Sequence, residues 1–487
     1  MNQILGILFL AGAAGWGYWR HRRGRDWIKP TIVCLFCTWW LATVLCPLFK
    51  EIRNPVYLVL AVWSSTWRQN ERLLNRFLLF HPALVSFLAL IAVSTVWAVN
   101  PRDAALRAVG LFLAFTFIWN LLRTADLTRI AGWVADGMLY SSYATIVLIA
   151  VGGGAAESIQ GGGRWTMGGD LQATGTAEVC LWAFVRLSAE AMSQKGNRRV
   201  LHFILTAVAL GSMIRTGTRG TLLQLGVVFP LLASIRLPFK NVASLAVRYL
   251  LVALVMLAAG VAIWGSLGEE RRASYRESFR MDKQEGAVDT RSFLWKPALE
   301  KAKERPWLGR GLGSSSFFTL TDEEYKEFDS LRQTLRITVH NQYLEILYEF
   351  GLLGFVIFAW LLGAMLQNAI RIYSYSGPQA TLWRMLAVYV VVGVLEGMTH
   401  GGQLTTGELN LLQRWTLCCC VLSFAYARAL GTQGVAVPGF ADRPRAGRKW
   451  QFWVQIPIRP PAEKVLRPTH APRLVFRPTR HGKLFAR

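Results

Sequence analysis

Two arginines flank a short connection between two apolar runs, in the segment IRTGTRGTLLQL at 214–225. A guanidinium group is costly to place at membrane depth, so an arginine there is a candidate for function. For Arg219, which precedes Gly220, we favour a functional role. Two interpretations of Arg215 stay open: a functional side chain, or one that extends its charge to the membrane surface.

Two further arginines lie in a long hydrophilic segment. Arg291 begins RSFLWKPAL, and by itself it is an ordinary surface arginine whose case depends on its neighbours. Arg310 lies within GRGLG at 309–313. Glycine-rich loops that bind phosphate follow a strand and open a helix, and this one lacks that setting. We therefore predict a tight turn there.

His340 lies where the hydrophilic segment returns to an apolar run, in VHNQYLEILYEFGLLGF at 339–355. Asn341 is a residue type that caps helices, and Glu345 and Glu349 follow at steps of four residues. An imidazole titrates near neutral pH and can take a proton from a hydroxyl group. The simpler alternative is a hydrogen-bonded surface histidine.

Four of these motifs together resemble the O-antigen ligase and polymerase superfamily. They are T-x-T-R-G at 216–220, R-S-F-L-W at 291–295, G-R-G-L-G at 309–313 and H-N-Q-Y-L-E-x-x-Y-E-F-G-L-L-G at 340–354. The resemblance covers residues 200–370 and implies that Arg219, Arg291 and His340 are functional. Thr218 departs from the serine that is usual in the family, and Arg310 stands where a hydrophobic residue is common.

The resemblance implies a glycosyltransferase. Its donor would be a glycan joined through pyrophosphate to undecaprenol, and its acceptor a sugar hydroxyl of the lipid A-core. Arginine forks bind pyrophosphate oxygens and stabilise the leaving group, which suits Arg219 and Arg291 as main residues, with substrate contacts from Arg215, Arg310 and Asn341. His340 would act as the base, and direct attack would invert the anomeric carbon. No D-x-D motif occurs in the predicted outer loops, so we expect no metal and no cofactor, with fixed cations in their place.

Three alternatives to an O-antigen ligase stay open. An O-antigen polymerase and a protein O-oligosaccharyltransferase use the same donor with another acceptor, and the segment that returns through H-N-x-x-L favours the ligase over both. A polysaccharide transporter or flippase is the competing class. The chain lacks the internal repeats that are typical of transporters, and its charged residues concentrate on one side.

The composition indicates an all-α integral membrane protein. Of 487 residues, 53% are hydrophobic and 17% charged, where a soluble protein has about 25% charged residues. A helix that crosses a bilayer needs about 20 apolar residues. About twelve runs qualify, at 2–19, 31–49, 79–98, 104–123, 130–152, 172–191, 199–214, 219–236, 246–267, 343–370, 381–400 and 408–430. The run at 56–67 is short for a span, which favours a re-entrant or interfacial segment.

Lysine and arginine in the connections predict the orientation, because cytoplasmic loops of membrane proteins are enriched in both. The basic connections, which we expect in the cytoplasm of a bacterium, are 123–129, 192–199, 237–248, 371–384 and the C-terminal tail. The connections at 99–103, 153–171 and 401–407 then face the periplasm, and so does the candidate site. The basic first loop at 20–29 conflicts with a count of twelve, which leaves either an extra crossing or an exception to the rule.

The chain is thus predicted to divide into four parts: helices at 1–267, a periplasmic loop region at 268–340, helices at 341–430 and a cytoplasmic tail at 431–487. The loop region has 14 basic and 13 acidic residues. Within it we predict an amphipathic helix at 292–307 that lies on the bilayer surface and a short helix at 321–328.

The tail holds 12 Lys and Arg and 8 of the 18 prolines, which favours contact with anionic lipid headgroups. No other feature supports nucleic-acid binding. The seven cysteines lie in apolar runs and are predicted to be buried like small hydrophobic residues.

Overall fold

A computed structural model describes residues 2–22, 27–45, 52–67, 81–124, 127–152, 154–155, 165–166, 173–216, 218–235, 247, 265–266, 268–269, 290–317, 339, 341–375, 379–398 and 411–432. The chain forms two compact units, Met1–Asp442 and Arg443–Arg487. All described residues belong to the first unit. The predicted short helix at 321–328, most of the run at 246–267 and the basic tail lie outside the described residues.

The described residues are almost entirely helical, as the composition predicts. The helices are α1 (Asn2–His21), α2 (Ile28–Leu45), α3 (Arg53–Ser65), α4 (Pro82–Ser94, extended by a 3-10 turn Thr95–Trp97), α5 (Pro101–Thr124), α6 (Leu127–Gly152), α7 (Ala173–Ser193), α8 (Gly196–Arg215), α9 (Arg219–Ala233), α10 (Thr290–Lys303), α11 (Gln342–Tyr373), α12 (Ala380–Glu396) and α13 (Leu411–Thr432). Two short strands, β1 (Gly154–Ala155) and β2 (Trp165–Thr166), pair antiparallel.

Three of these helices are long and apolar enough to cross a membrane: Pro101–Arg123, Leu127–Val151 and Gln342–Tyr373. Shorter apolar helices occur at Ile28–Trp39, Pro82–Trp97, Gly220–Ala233 and Arg414–Phe424. The prediction of a helical membrane protein is confirmed, while the count of twelve spans and the periplasmic position of 268–340 stay predictions. The cysteines within the described residues are buried and free, as expected: Cys34, Cys37, Cys180, Cys418, Cys419 and Cys420.

Contacts of α1 place the first basic loop on a definite side of the bundle. Helix α1 runs antiparallel to α6, because the hydroxyl of Tyr140 donates to the Phe9 carbonyl (3.1 Å) while the end of α1 reaches Asp136. There Nε of Arg20 lies 3.6 Å and Nε2 of His21 lies 3.2 Å from the carboxylate oxygens. The end of α1 therefore lies on the same side as the start of α6, which follows the basic connection 123–129.

The short apolar run at 56–67 lies in and just beyond α3, which packs lengthwise on α5. The amide of Asn120 donates to the Ser64 hydroxyl (3.0 Å), and the ring of Trp67 lies 6.0 Å from that of Phe117. Near the other end, Gly110 packs against Asn54. The two helices thus run in the same direction, and the re-entrant or interfacial position of 56–67 stays a prediction.

The predicted amphipathic helix at 292–307 is observed as α10, which ends at Lys303. Its face of Leu294, Ala298 and Ala302 is buried as the spacing predicts. Leu294 and Ala298 pack against Val339 and Tyr348 at the start of α11, so protein and not lipid covers this part of the apolar face. The position of α10 on the bilayer surface stays a prediction.

Helix α11 is interrupted at Gly351, where the backbone has φ 63° and ψ −163°. In an unbroken helix the amides of Leu352 and Leu353 would bond to carbonyls four residues earlier. They donate instead to the carbonyls of Pro306 (2.7 Å) and Trp307 (3.2 Å). The segment that follows α10 therefore supplies the acceptors that the break removes.

The same segment also satisfies the two carbonyls that the break leaves free. The amide of Arg310 donates to Tyr348 (3.1 Å), and the amide of Gly311 donates to Glu349 (2.7 Å). Backbone groups in an apolar interior must be bonded within the protein, and this reciprocal exchange meets that demand. The turn at 306–311 and the kinked helix are thus one structural unit.

We predict that Gly351→Ala disrupts this unit. Alanine rarely adopts a backbone with φ near +63°, at a cost of about 1–3 kcal/mol, and a Cβ atom at this position would lie 2.5 Å from the carbonyl oxygen of Trp307. Thermal unfolding of the detergent-purified protein should show a clear loss of stability. Gly363→Ala is the matched control, since it lies in the same helix with open space around it. Equal stability of the two variants would contradict the prediction.

Candidate functional site

Asn341 caps the start of α11, as the sequence predicts. Its side-chain oxygen accepts from the backbone amides of Tyr343 (3.0 Å) and Leu344 (3.1 Å). His340 itself lies outside the described residues, between Val339 and Asn341, which are both described. The cap therefore fixes the backbone immediately after the candidate base.

The helix of Arg291 contacts the chain just before His340. The indole nitrogen of Trp295 donates to the carbonyl of Val339 (3.1 Å). Arg291 lies one turn earlier in α10, and its side chain is outside the described residues. The structure thus brings the second turn of α10, one turn after Arg291, to the residue that precedes His340.

The end of α12 and the two residues that follow it also hold the start of α11. Three carbonyls of this segment accept hydrogen bonds from the first residues of α11 and its cap. Val394 accepts from the hydroxyl of Tyr343 (2.7 Å). Gly397 accepts from the amide of Gln342 (2.9 Å), and Met398 accepts from the side chain of Asn341 (3.3 Å).

Arg310 lies in the predicted tight turn, where Gly309, Gly311 and Gly313 all have positive φ. Its guanidinium group pairs with Glu304 and lies 5.6 Å from the ring centre of Tyr348. Its carbonyl accepts from the amide of Val99 (3.2 Å), which ties the turn to the end of α4. These contacts give Arg310 a clear structural role beside any contact with substrate.

The backbone of this glycine-rich turn is engaged by groups of the protein itself. Carboxylate oxygen Oε1 of buried Glu349 accepts from the hydroxyl (2.6 Å) and the amide (3.3 Å) of Ser315. Backbone and side-chain acceptors of α11 thus occupy positions that phosphate oxygens occupy in a phosphate-binding loop. This geometry supports the prediction that the segment is a tight turn and not a phosphate-binding loop.

Sequence reasoning missed Arg107, which holds the far end of the turn. Its Nε atom lies 2.7 Å from Asp103, and its terminal nitrogen donates to the hydroxyl of Ser316 (3.2 Å). Its side chain also packs against Gly313. The spacing of four residues between Asp103 and Arg107 indicates a helical ion pair, yet nothing local indicates that the pair supports a loop about 200 residues away in sequence.

Arg215 and Arg219 occupy a different helix pair. Exposed Arg215 ends α8, and Arg219 begins α9 with its side chain outside the described residues. Between them the hydroxyl of Thr216 accepts from the amide of Thr218 (3.3 Å), which shapes the connection.

Contacts at the other end of α9 show at which end of the helix bundle this connection lies. Arg384, near the start of α12, donates to the carbonyl of Ile235 just beyond α9 (2.9 Å). The two helices contact each other, so the start of α9 lies toward the end of α12. The connection therefore shares an end of the bundle with Asn341.

A small cavity lies beside the start of α11. It is largely apolar, and its polar lining comes from Gln342, Tyr343, Trp182, Tyr389 and Arg414. A second small cavity shares Trp182, Tyr389 and Arg414 and adds the hydroxyls of Ser141, Ser142 and Thr145. Sequence reasoning named none of these residues except Gln342 and Tyr343, which belong to the motif.

Comparison with known proteins identifies a related family. Residues 204–359 match the family model described as O-Antigen ligase. The matched segment includes every candidate residue: Arg215, Arg219, Arg291, Arg310, His340 and Asn341. No curated protein matches the chain. The resemblance to the O-antigen ligase superfamily is confirmed.

Proposed function

We propose that this protein is an O-antigen ligase of a bacterial inner membrane. It transfers O-antigen polysaccharide from undecaprenyl pyrophosphate to the lipid A-core oligosaccharide during lipopolysaccharide biosynthesis. The observation that carries the proposal is the family match over residues 204–359, since this segment contains all six candidate residues. The apolar helices of the described structure support a membrane enzyme.

In the proposed reaction, His340 removes the proton from the acceptor hydroxyl as its oxygen attacks the anomeric carbon. The bond from that carbon to the pyrophosphate oxygen breaks, and undecaprenyl pyrophosphate leaves with the bonding electrons. Attack opposite the leaving group inverts the anomeric carbon. Arg219 and Arg291 bind the pyrophosphate oxygens and stabilise the charge that develops, with further substrate contacts from Arg215, Arg310 and Asn341. We propose that the reaction needs no divalent metal, so transfer should persist in excess EDTA.

Contacts around α11 support these roles for Arg291 and His340. The bond from Trp295 to Val339 joins the helix of Arg291 to the chain before His340, and the cap by Asn341 orders the chain after it. Groups that act on one reacting centre must be held in fixed relative positions. A helix start held from two sides meets that requirement.

The proposed orientation puts the site in the periplasm and the tail at 431–487 in the cytoplasm. The end of α1 carries Arg20, and it lies on the same side as the basic connection 123–129. Such grouping of basic residues on one side supports a cytoplasmic position for both. The loop region 268–340 then faces the periplasm, and the lipid part of the donor reaches the site between helices from the bilayer.

The acceptor is tested by deleting the gene and analysing lipopolysaccharide and lipid-linked glycans by mass spectrometry. A ligase predicts lipopolysaccharide without O-antigen, together with accumulated polymer on undecaprenyl pyrophosphate. Accumulation of single repeat units would indicate a polymerase instead. Normal lipopolysaccharide with loss of protein glycosylation would indicate a protein O-oligosaccharyltransferase, and unchanged glycans at the periplasmic face would contradict all three activities.

We predict that Arg219→Lys and Arg291→Lys each lower kcat/KM by about 10- to 100-fold, because a lysine lacks the planar fork that bonds two oxygens at once. Transfer by purified protein measures the effect, with expression and gel-filtration profiles as checks on folding. Arg199→Lys is the matched control, since Arg199 lies at the other end of α8 and stacks on Phe203. Near-normal transfer by either variant would refute pyrophosphate binding at that position.

We predict that His340→Ala lowers kcat by about 10²–10⁴-fold while donor binding persists, which is the usual contribution of a general base. The wild-type rate should fall on the acid side near the ordinary pKa of histidine, about 6.5, and the variant should lose that limb. His400→Ala serves as the control on the same predicted face. A variant that keeps the acid limb, or that loses donor binding instead of turnover, identifies His340 as a binding residue.

A further inference from the structure

A charged cluster is buried behind the start of α11. Glu396 ends α12 and is fully buried, and its Oε2 atom lies 3.0 Å from a terminal nitrogen of Arg414 in α13. The indole nitrogen of Trp182 donates to the other carboxylate oxygen, and the guanidinium group of Arg414 lies 5.4 Å from the centre of that indole ring. The cluster therefore joins α7, α12 and α13.

Burial of such a pair has a large desolvation cost, which a packed apolar replacement would avoid. Charged residues within apolar helices of membrane proteins therefore point to function. The proposed reaction assigns no role to Glu396 or Arg414. Their position within the fold suggests one.

Glu396 belongs to the same turn of α12 that holds the start of α11. The carbonyls of Val394, Gly397 and Met398 accept hydrogen bonds from Tyr343, Gln342 and Asn341 respectively. Displacement of this turn would move all three acceptors together. Hydrogen bonds from the residues next to Glu396 thus link its segment to Asn341, the residue that follows His340.

Two small cavities flank the cluster. Arg414 and Trp182 line both of them, and Gln342 and Tyr343 line the first. Protein interiors are usually close-packed, and close packing restricts movement. Next to such cavities, directional polar contacts such as this ion pair add to packing in setting the position of the helix start.

We propose that Glu396 and Arg414 are positioning residues for glycan transfer. The ion pair fixes the last turn of α12, and through it the start of α11 and the orientation of His340. Neither residue contacts substrate in this arrangement. The proposal rests on the proposed function, and it adds two residues that act through His340.

The test compares Glu396→Gln and Arg414→Gln with Arg414→Lys, which keeps the charge. Glu190→Gln is the matched control, because Glu190 forms another ion pair, partly buried, with Arg186 at 2.8 Å, in the other half of α7. Two quantities are measured: kcat and donor KM for transfer, and hydrogen exchange of the amides at 341–346. The exchange measurement does not depend on activity.

Both Gln variants should lower kcat by about 10- to 100-fold, the usual effect of misplacing a reacting group by about 1 Å. Donor KM should stay within about twofold, since donor binding is separate. Exchange of the Gln342 amide, which bonds to Gly397, should become faster, while exchange in α6 should not change. Arg414→Lys should restore most of kcat, and Glu190→Gln should leave both quantities at wild-type values.

Trp182→Phe provides a second route if either Gln variant fails to fold. It removes the donor to Glu396 and keeps an aromatic ring, so the same fall in kcat and the same faster exchange are expected in milder form.

Unchanged exchange at Gln342 in the folded variants would overturn the proposal, and so would faster exchange with normal kcat. A rise in donor KM at constant kcat would also overturn it, because Arg414 would then be a donor-binding residue. A wild type that transfers no glycan would overturn the proposed function, and the exchange measurement would still decide whether the pair fixes the start of α11.

Discussion

The break of α11 at Gly351 is the constraint on which the surrounding structure depends. A helix in an apolar interior can be interrupted only where other groups of the protein replace the lost backbone bonds. Here the turn at 306–311 provides two carbonyls and two amides, and it receives the same number in return. Because this exchange requires close approach of two backbones, it also requires Gly309 and Gly351 at the contact, where a Cβ atom on either would lie 2.5 Å from the other segment.

Other elements are placed by this unit. The turn carries α10 to the first residues of α11, where Trp295 reaches Val339. It also fastens to the end of α4 through the indole of Trp97, which donates to Leu308 (3.1 Å). Buried Glu349 bonds to Ser315 from within the kinked helix. This junction therefore joins α10, the helix that carries Arg291, to the described residues on either side of His340, although Arg291 and His340 are far apart in sequence.

Two kinds of charge serve this arrangement in different ways. Glu349, Arg107 and Arg310 hold the turn, and in the further inference Glu396 and Arg414 hold the start of α11. The proposed reaction uses another set, Arg219, Arg291 and His340, which must face the substrate. Electrostatic stabilisation of a leaving pyrophosphate is effective when the cations are fixed before the reaction begins. The charges that hold the turn and the start of α11 would serve this purpose, because their hydrogen bonds restrict movement of the helices that carry the proposed reacting side chains.

Local patterns in the sequence determined the helical membrane class, the resemblance to the O-antigen ligase superfamily, the cap by Asn341 and the tight turn at 309–313. Each of these depends on composition or on residues that are neighbours in sequence, such as glycines that adopt positive φ. Other features of the protein were decided by the tertiary structure alone. The short run at 56–67 is held by α5, and the apolar face of α10 is covered by α11. Glu349 bonds to Ser315, and Glu396 pairs with Arg414, across separations that no spacing rule covers. A buried polar group must find a partner, but the sequence does not say which one, because the partner is chosen by how the helices pack.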